Sequence, residues 1–322
     1  MTKPSGPSFL SVPAVAEGQR LDNFLLRQLK GVPRSLVYRL VRKGAIRVNG
    51  RRVRVERRVS GGDEIRVPPL DRPAVAGAET SVHVPDGVLR LLRAAIIHED
   101  EDYLVLDKPA GLAVHGGSGL SFGIIEAARL MRPGMALELG HRLDRETSGC
   151  LVLTKSRRGL QAFHEALRTG RIAKRYLALV TGRWQGPPQR CDLPIAQERD
   201  GAGHRRMRAV EQPGAGSARA AISLFTPVEP YGQFTLVEVD IGTGRTHQIR
   251  VHGRAMGHPV AGDHDYGDPE ANRTARAAGL QRMFLHAQAI RFPDWGGEER
   301  LFSAPLPDDL QDVLQTLAGV GQ

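Results

Sequence analysis

The sequence predicts an α+β chain in two parts, a small basic helical unit followed by a larger unit built on a sheet. Three observations lead there. Helical periodicity comes early, with Leu21, Leu25, Leu26 and Leu29, then Leu36, Val37, Leu40 and Val41. Short apolar runs bounded by turn residues dominate later, at 103–106, 150–153, 171–180 and 236–241. A length of 322 residues favours about two domains. The expected division is a lead-in over 1–16, the basic unit over 17–70, a Pro/Ala/Gly-containing linker over 71–93 and the larger unit over 94–322. There is no internal repeat.

Composition narrows the function classes. At 41% hydrophobic the chain can build a core, yet it has no apolar run of the roughly 18 residues a transmembrane helix needs. The N-terminus is too polar and too broken by proline for a secretory signal. The two cysteines, Cys150 and Cys191, form no CxxC and no disulfide framework, which points to reduced thiols and the cytoplasm. A net charge of +10 implies a polyanionic partner.

The charge is concentrated. Residues 17–70 hold 14 Lys/Arg against 5 Asp/Glu, a net of +9. The first helix ends at Gly31-Val32-Pro33, and Gly44 closes the second. Ile46 and Val48 alternate in a strand, Asn49-Gly50 forms a hairpin turn, and Val53 and Val55 continue beyond it. Gly61-Gly62-Asp63 turns the chain into Ile65 and Val67. Arg39, Arg42 and Lys43 share one face of the second helix, and Arg47, Arg51, Arg52 and Arg54 follow on the hairpin. Such a face can be merely solvated. Like charges at this spacing repel, however, and a cluster kept despite that cost suits phosphates.

The larger unit opens with a strand at 103–106, a turn at 107–111 and a glycine-rich loop at 115–119. That loop lacks the Lys-Ser/Thr of a phosphate-cradling loop and the dinucleotide spacing. His115 within it could touch substrate or simply be exposed. The densest stretch is GHRLDRETSGCLVLTKS, 140–156. It places Asp144 between Arg142 and Arg145 on a loop backed by a strand, where active sites tend to sit. The flanking cations should keep that carboxylate ionised. A nucleophile, a base and one half of a surface ion pair all remain open on this spacing.

An amphipathic helix is expected over 159–168, then the strand bearing Tyr176. Residues 185–219, rich in Gly, Pro and Arg, should form hairpins and a mobile loop. The strand at 236–241 runs into Gly242-Thr243-Gly244, a turn before a helix that carries Ile249 and Arg250 early. His258, Asp263, His264 and Asp265 are close in sequence but lack any recognised metal-ligand spacing, so no metal is expected. Strand pieces at 283–285 and 289–292 precede a C-terminal helix with Leu310, Val313, Leu314 and Leu317.

The basic unit and three later stretches carry resemblances to known families. GQRLDNFL, PRSLVYRLVRKGAIRVNG and GDEIRVP resemble the S4 (αL-like) RNA-binding domain. HRLDRETSG at 141–149, AKRYLALV at 173–180, and GTGRTHQIRVH at 242–252 followed by GHPVAGDHDYGD at 257–268 resemble the RluA-type pseudouridine synthases. The arrangement is most like the RluC-type branch that modifies large-subunit ribosomal RNA. The resemblance implies a catalytic domain with a long mixed, mostly antiparallel sheet. It implies isomerisation of uridine to pseudouridine in RNA, 23S ribosomal RNA in particular, with no cofactor. By the same resemblance Asp144 is the nucleophile and Tyr176 stacks on the base. Arg250 pairs with Asp144, Ile249 floors the base, and Arg142 fills the space left by the flipped nucleotide. The S4 contacts fall on Arg34, Arg39, Arg42, Lys43, Arg47, Arg51 and Arg52. One departure is ARAAI at 218–222, where family members often carry a threonine.

Two other classes compete. A non-catalytic RNA-binding or ribosome-assembly protein would need the S4-like unit but not Asp144, Tyr176 and Arg250 together. An RNA-cleaving enzyme would use His247 and His252, which lack a partner lysine or metal set. A synthase acting on transfer RNA is the alternative within the family. A monomer is expected, since no heptad or exposed apolar stripe suggests otherwise.

Overall fold

The computed structural model describes residues 6–29, 32, 34–70, 83–116, 121–199, 205–211 and 218–319. The chain divides into two compact units, 1–81 and 82–322.

The first unit contains β1 (Ser8–Ser11), a 3-10 turn (Ala14–Ala16), α1 (Leu21–Gln28), α2 (Arg34–Arg42), β2 (Arg47–Val48) and β3 (Glu64–Val67). Leu21, Phe24 and Leu25 at i, i+3, i+4 bury one face of α1 against Val37 and Val41 of α2 and against Ile46, Val48 and Ile65. Burying each such side chain is worth about 1.5–3 kcal/mol. The sheet order is β1-β3-β2, all antiparallel. Two expectations change here. The lead-in contributes β1, whose four residues are too short to announce a strand but pair fully along β3. Val53 and Val55 form no strand, because the ladder past Asn49-Gly50 stops at one bridge, Val48 to Arg51. The carbonyl of Val55 accepts instead from the Asp22 N–H at the start of α1.

The second unit opens with α3 (Asp86–Ala94), β4 (Ile96–Glu99), β5 (Tyr103–Lys108), α4 (Ile124–Met131), β6 (Glu138–Leu139) and β7 (Ser148–Thr154). It continues through α5 (Arg157–Arg168), β8 (Ala173–Thr181), β9 (Gln189–Cys191), β10 (Ile195–Arg199), β11 (Arg205–Ala209), β12 (Ser223–Tyr231) and β13 (Phe234–Ile241). It closes with α6 (Gln248–Ala255), α7 (Pro269–Ala277), β14 (Leu285–Pro293), β15 (Glu299–Ser303) and α8 (Asp308–Gly319). Helix α3 corrects the expected linker over 71–93. Its Leu92 is fully buried, with Val88 and Leu89 packed beside it at helical spacing. The earlier part of that linker lies outside the described residues.

Ten strands form one sheet in the order β4-β5-β7-β14-β8-β13-β12-β9, with β15 on β14 and β6 on β7. Only β7–β14 is parallel, so the sheet is mixed and mostly antiparallel, as expected. Period-2 alternation sorts the core. Leu104, Leu106, Leu151 and Leu153 face α3 and α4, while Tyr103, Val105, Cys150 and Val152 face Phe163 of α5. Leu179, Phe234 and Leu236 pack on α7 and α8. Ser156 accepts from the Gly159 N–H, so α5 begins two residues before the expected helix. Hairpin β10–β11 accounts for part of 185–219; residues 200–204 and 212–217 lie outside the described residues.

Gly149 is a fixed requirement of this sheet. Its φ is +109°, and a Cβ there would sit 2.2 Å from the Ala287 carbonyl oxygen. Only glycine lets β14 lie beside β7 immediately after the loop that carries Asp144.

Candidate active site

Three elements converge on one cleft of about 530 Å³, lined among others by Arg142, Asp144, Lys174, Tyr176, Ile249 and Arg250. The first is the loop entering β7, which is tied to its surroundings at several points. The Gly140 N–H donates to Val152 O, and the Gly111 N–H donates to Arg145 O. The buried ammonium of Lys108 donates to the carbonyls of Pro109 and Arg145. The Val152 N–H donates to His141 Nε2, and burial pushes that imidazole down to about 3, so His141 stays a neutral acceptor supporting the loop. Neither neighbouring cation takes Asp144. Arg145 donates to Gly111 O and lies 3.9 Å from Glu146, and the Arg142 side chain is exposed.

The second element is β8, which alternates exposed Ala173 and Arg175 with buried Lys174 and Tyr176. Burial raises the Tyr176 phenol above its ordinary value, so it remains protonated. Its hydroxyl has no hydrogen-bond partner among the described residues.

The third is the turn into α6. Gln248, buried, locks it: Oε1 accepts from Thr243 Oγ1 and the Arg245 N–H, while Nε2 donates to Ile222 O and Ser223 Oγ. Ile249 is buried and lines the cleft. Arg250 is only 7% exposed. Its Nε and Nη2 bond the two Asp263 oxygens at 2.7 Å each, and Nη2 also reaches Asp265 at 2.8 Å. Its Nη1 stands 3.5 Å from Asp144 Oδ2. Burial disfavours the Arg250 charge, but the aspartates outweigh it and raise the guanidinium pKa. Burial likewise opposes ionisation of Asp263, and Arg250 reverses that and holds its carboxyl low. His247 precedes α6 in a left-handed conformation, φ +56°, with Nε2 3.9 Å from the same Asp144 oxygen.

This geometry suits a carboxylate positioned near an aromatic ring, inside a cleft wide enough for a nucleoside. Similarity to known proteins agrees with it. The RNA pseudouridylate synthase family signature matches residues 102–255. The chain is 43% identical over 320 residues to the ribosomal large subunit pseudouridine synthase C of Escherichia coli strain K12, covering 98% of each chain. The chain belongs to the RNA pseudouridylate synthase family. It is also 45% identical over 302 residues to the protein of that name from Pasteurella multocida, covering 93% of this chain and 90% of that one. Human RNA pseudouridylate synthase domain containing 4 superposes with a TM-score of 0.58 at 26% identity, over 72% of this chain and 96% of that one. The S4 domain signature matches residues 19–65, and the N-terminal unit is an S4 domain.

Within this pseudouridylate synthase domain the structure brings Asp144, Tyr176, Ile249 and Arg250 together, with Arg142 on the same cleft. The sequence reading missed Asp263 and Asp265 as the anchors of Arg250. The available signal was an arginine flanked in the chain by Ile249 and Val251, since a guanidinium buried with such neighbours needs a carboxylate. His252 is fully buried, with Nδ1 on Ser223 Oγ and Nε2 on Leu193 O. Both nitrogens are committed, so the pairing of His247 with His252 for RNA cleavage is not present.

In the S4 domain Arg39, Arg42, Lys43, Arg47, Arg51 and Arg52 are all exposed. None makes an ion pair among the described residues. Arg34 opens α2, and its side chain lies outside the described residues.

Proposed function

We propose that this protein converts specific uridines of large-subunit (23S) ribosomal RNA to pseudouridine, with Asp144 as nucleophile. The observation that carries the reading is Asp144 held by Arg250 in the cleft that Tyr176 and Ile249 also line. The choice of large-subunit RNA is supported by relatives that this chain matches over 98% of their length and whose names specify the ribosomal large subunit.

Isomerisation breaks the N1–C1′ bond, turns the base and forms C5–C1′, with a proton leaving C5 and one arriving at N1. Nothing is oxidised or reduced. The uridine must first leave its stack, at a cost of a few kcal/mol. Arg142, exposed and planar, stacks in the vacated space and offsets part of that cost. Tyr176 stacks on the flipped base for roughly 1–3 kcal/mol. Its protonated phenol is placed to donate. Ile249 floors the base. Because Arg250 and His247 both approach Oδ2 of Asp144, the other oxygen, Oδ1, is the one that attacks.

The exposed S4 cations Arg39, Arg42, Lys43, Arg47, Arg51 and Arg52 dock, together with Arg34, on the backbone of folded RNA, where phosphates and shape dominate recognition. The protein acts as a monomer in the cytoplasm, where ribosomal RNA is modified. Among the described residues no helix is long and apolar enough to cross a membrane. Mapping pseudouridines in ribosomal and transfer RNA from cells with and without this gene tests the reading. Sites lost only from large-subunit RNA are expected; sites lost only from transfer RNA would contradict it.

A further inference from the structure

Lys174 is the one deeply buried charge of the second unit that has no partner among the described residues. It is 8% exposed and makes no hydrogen bond or ion pair. The comparably buried charged groups are all satisfied: Lys108 by two carbonyls, Asp102 by Arg158, and Arg250 and Asp263 by each other. Burial alone pulls the Lys174 amine down to about 8, with no carboxylate acting against it. The ammonium is not sealed from solvent: among the described residues only the Thr181 hydroxyl is both buried and without a partner, so Lys174 opens onto the cleft, where a countercharge can reach it.

Its position says what that is. Lys174 and Tyr176 are two residues apart on β8 and point to the same face. Lys174 lies across from Ile241, where β13 hands over to Gly242-Thr243-Gly244. That turn stays open over it, because a Cβ on Gly244 would lie 3.2 Å from the ammonium. The cleft holding Asp144 meets a second depression of about 660 Å³ that includes Arg171, Arg175, Arg190 and Arg291. Lys174 is shared by both cavities, along with Gly170, Ile172, Ile241 and Gly242. It therefore stands at the neck between the site for the base and a groove whose Arg175, Arg190 and Arg291 are matched by Asp240, Asp192 and Glu299.

We propose that Lys174 binds a phosphate next to the flipped uridine, fixing the RNA backbone where it leaves the catalytic cleft. The inference rests on the RNA-isomerase reading above. A phosphate at the neck neutralises the ammonium and sets how far the ribose can enter beside Asp144. Lys174 is thus a substrate-binding residue rather than a proton carrier.

The test uses the full chain and unmodified large-subunit ribosomal RNA transcribed in vitro. Lys174→Met removes the charge and keeps the length, and Lys174→Arg keeps the charge. RNA affinity is measured across monovalent salt. K174M is expected to bind roughly tenfold more weakly at low salt and to lose about 0.7–0.9 from the slope of log affinity against log salt, the signature of one phosphate contact. K174R keeps the wild-type slope. K174M is expected to melt no lower than the wild type, because an unpaired buried charge has been removed. A reciprocal arm uses wild-type protein and an RNA with an uncharged methylphosphonate beside the converted uridine, which should lose the same slope. An unchanged slope in either arm overturns the proposal. So does a K174M variant with wild-type salt dependence but a shifted pH–rate profile, which would make the lysine a proton carrier. Wild-type conversion of the plain transcript separates the two claims. No pseudouridine there counts against the isomerase reading, whereas conversion with an unchanged slope counts against Lys174 alone.

Discussion

Asp263 holds two nitrogens of Arg250 at 2.7 Å while a third, Nη1, faces Asp144 at 3.5 Å. The guanidinium is fixed on its far side by a fully buried carboxylate, which itself accepts from the N–H groups of Asp265 and Tyr266. Its remaining edge is thereby aimed at Asp144 before RNA arrives, which is preorganisation in the sense that matters for rate.

Asp263→Ala leaves that guanidinium buried and largely uncompensated. We expect a loss of about 3–5 kcal/mol in stability, read by denaturant unfolding, together with loss of conversion. Asp265→Asn is milder, because the Asp265 side chain is 48% exposed, and should cost within about 1 kcal/mol. Equal effects of the two substitutions would contradict the anchoring role of Asp263.

Tyr176→Phe keeps the ring and removes the phenol. RNA affinity should stay within about twofold while the single-turnover rate falls. Tyr176→Ala removes the ring too and should cost a further 1–3 kcal/mol, roughly, in binding. A Phe variant with the wild-type rate would take the hydroxyl out of the chemistry.

Lys108 gives a pH signature. Burial lowers its pKa from 10.5 to about 7, against the opposing charges of Glu146 and Asp144. The folded state thus binds fewer protons than the unfolded one between these values. The stability this contributes is fully present above about pH 10.5 and is lost as the pH falls through about 7. The wild type should therefore gain stability relative to Lys108→Met as pH rises through that window, by an amount on the order of a few kcal/mol. Parallel stability–pH curves for the two proteins would contradict the buried-lysine assignment.

Charge reversal at Arg39, Arg42 and Lys43 should weaken RNA binding and flatten its salt dependence by about one unit of slope per lost phosphate contact. The catalytic unit's own melting transition should not move. An unchanged slope would remove this face of the S4 domain from RNA recognition.

Much of this was legible in the sequence because the signals were local. The paired helices of the S4 domain, strand β7 behind Asp144 and the turn into α6 each announce themselves by period, turn residues or both. The convergence of Asp144, Tyr176 and Arg250 was legible only through family resemblance, since nothing in their spacing places β7, β8 and α6 side by side. What stayed hidden depends on tertiary pairing. Strand β1 has four residues and exists by virtue of β3. Val53 and Val55 alternate like a strand but have no ladder to join. Asp263 and Asp265, beside His258 and His264, lack metal-ligand spacing and suggest no role from sequence, because a loop does not reveal which buried cation its carboxylates serve.

The central claim is that Asp144 does the chemistry and the rest of the cleft presents the base to it. Asp144→Asn changes one oxygen to nitrogen and leaves size and the Arg250 contact surface nearly intact. Single-turnover conversion of large-subunit ribosomal RNA should fall to background in this variant, while RNA affinity stays within a few fold of the wild type. Pseudouridine formed by Asp144→Asn at a rate near that of the wild type would contradict the account.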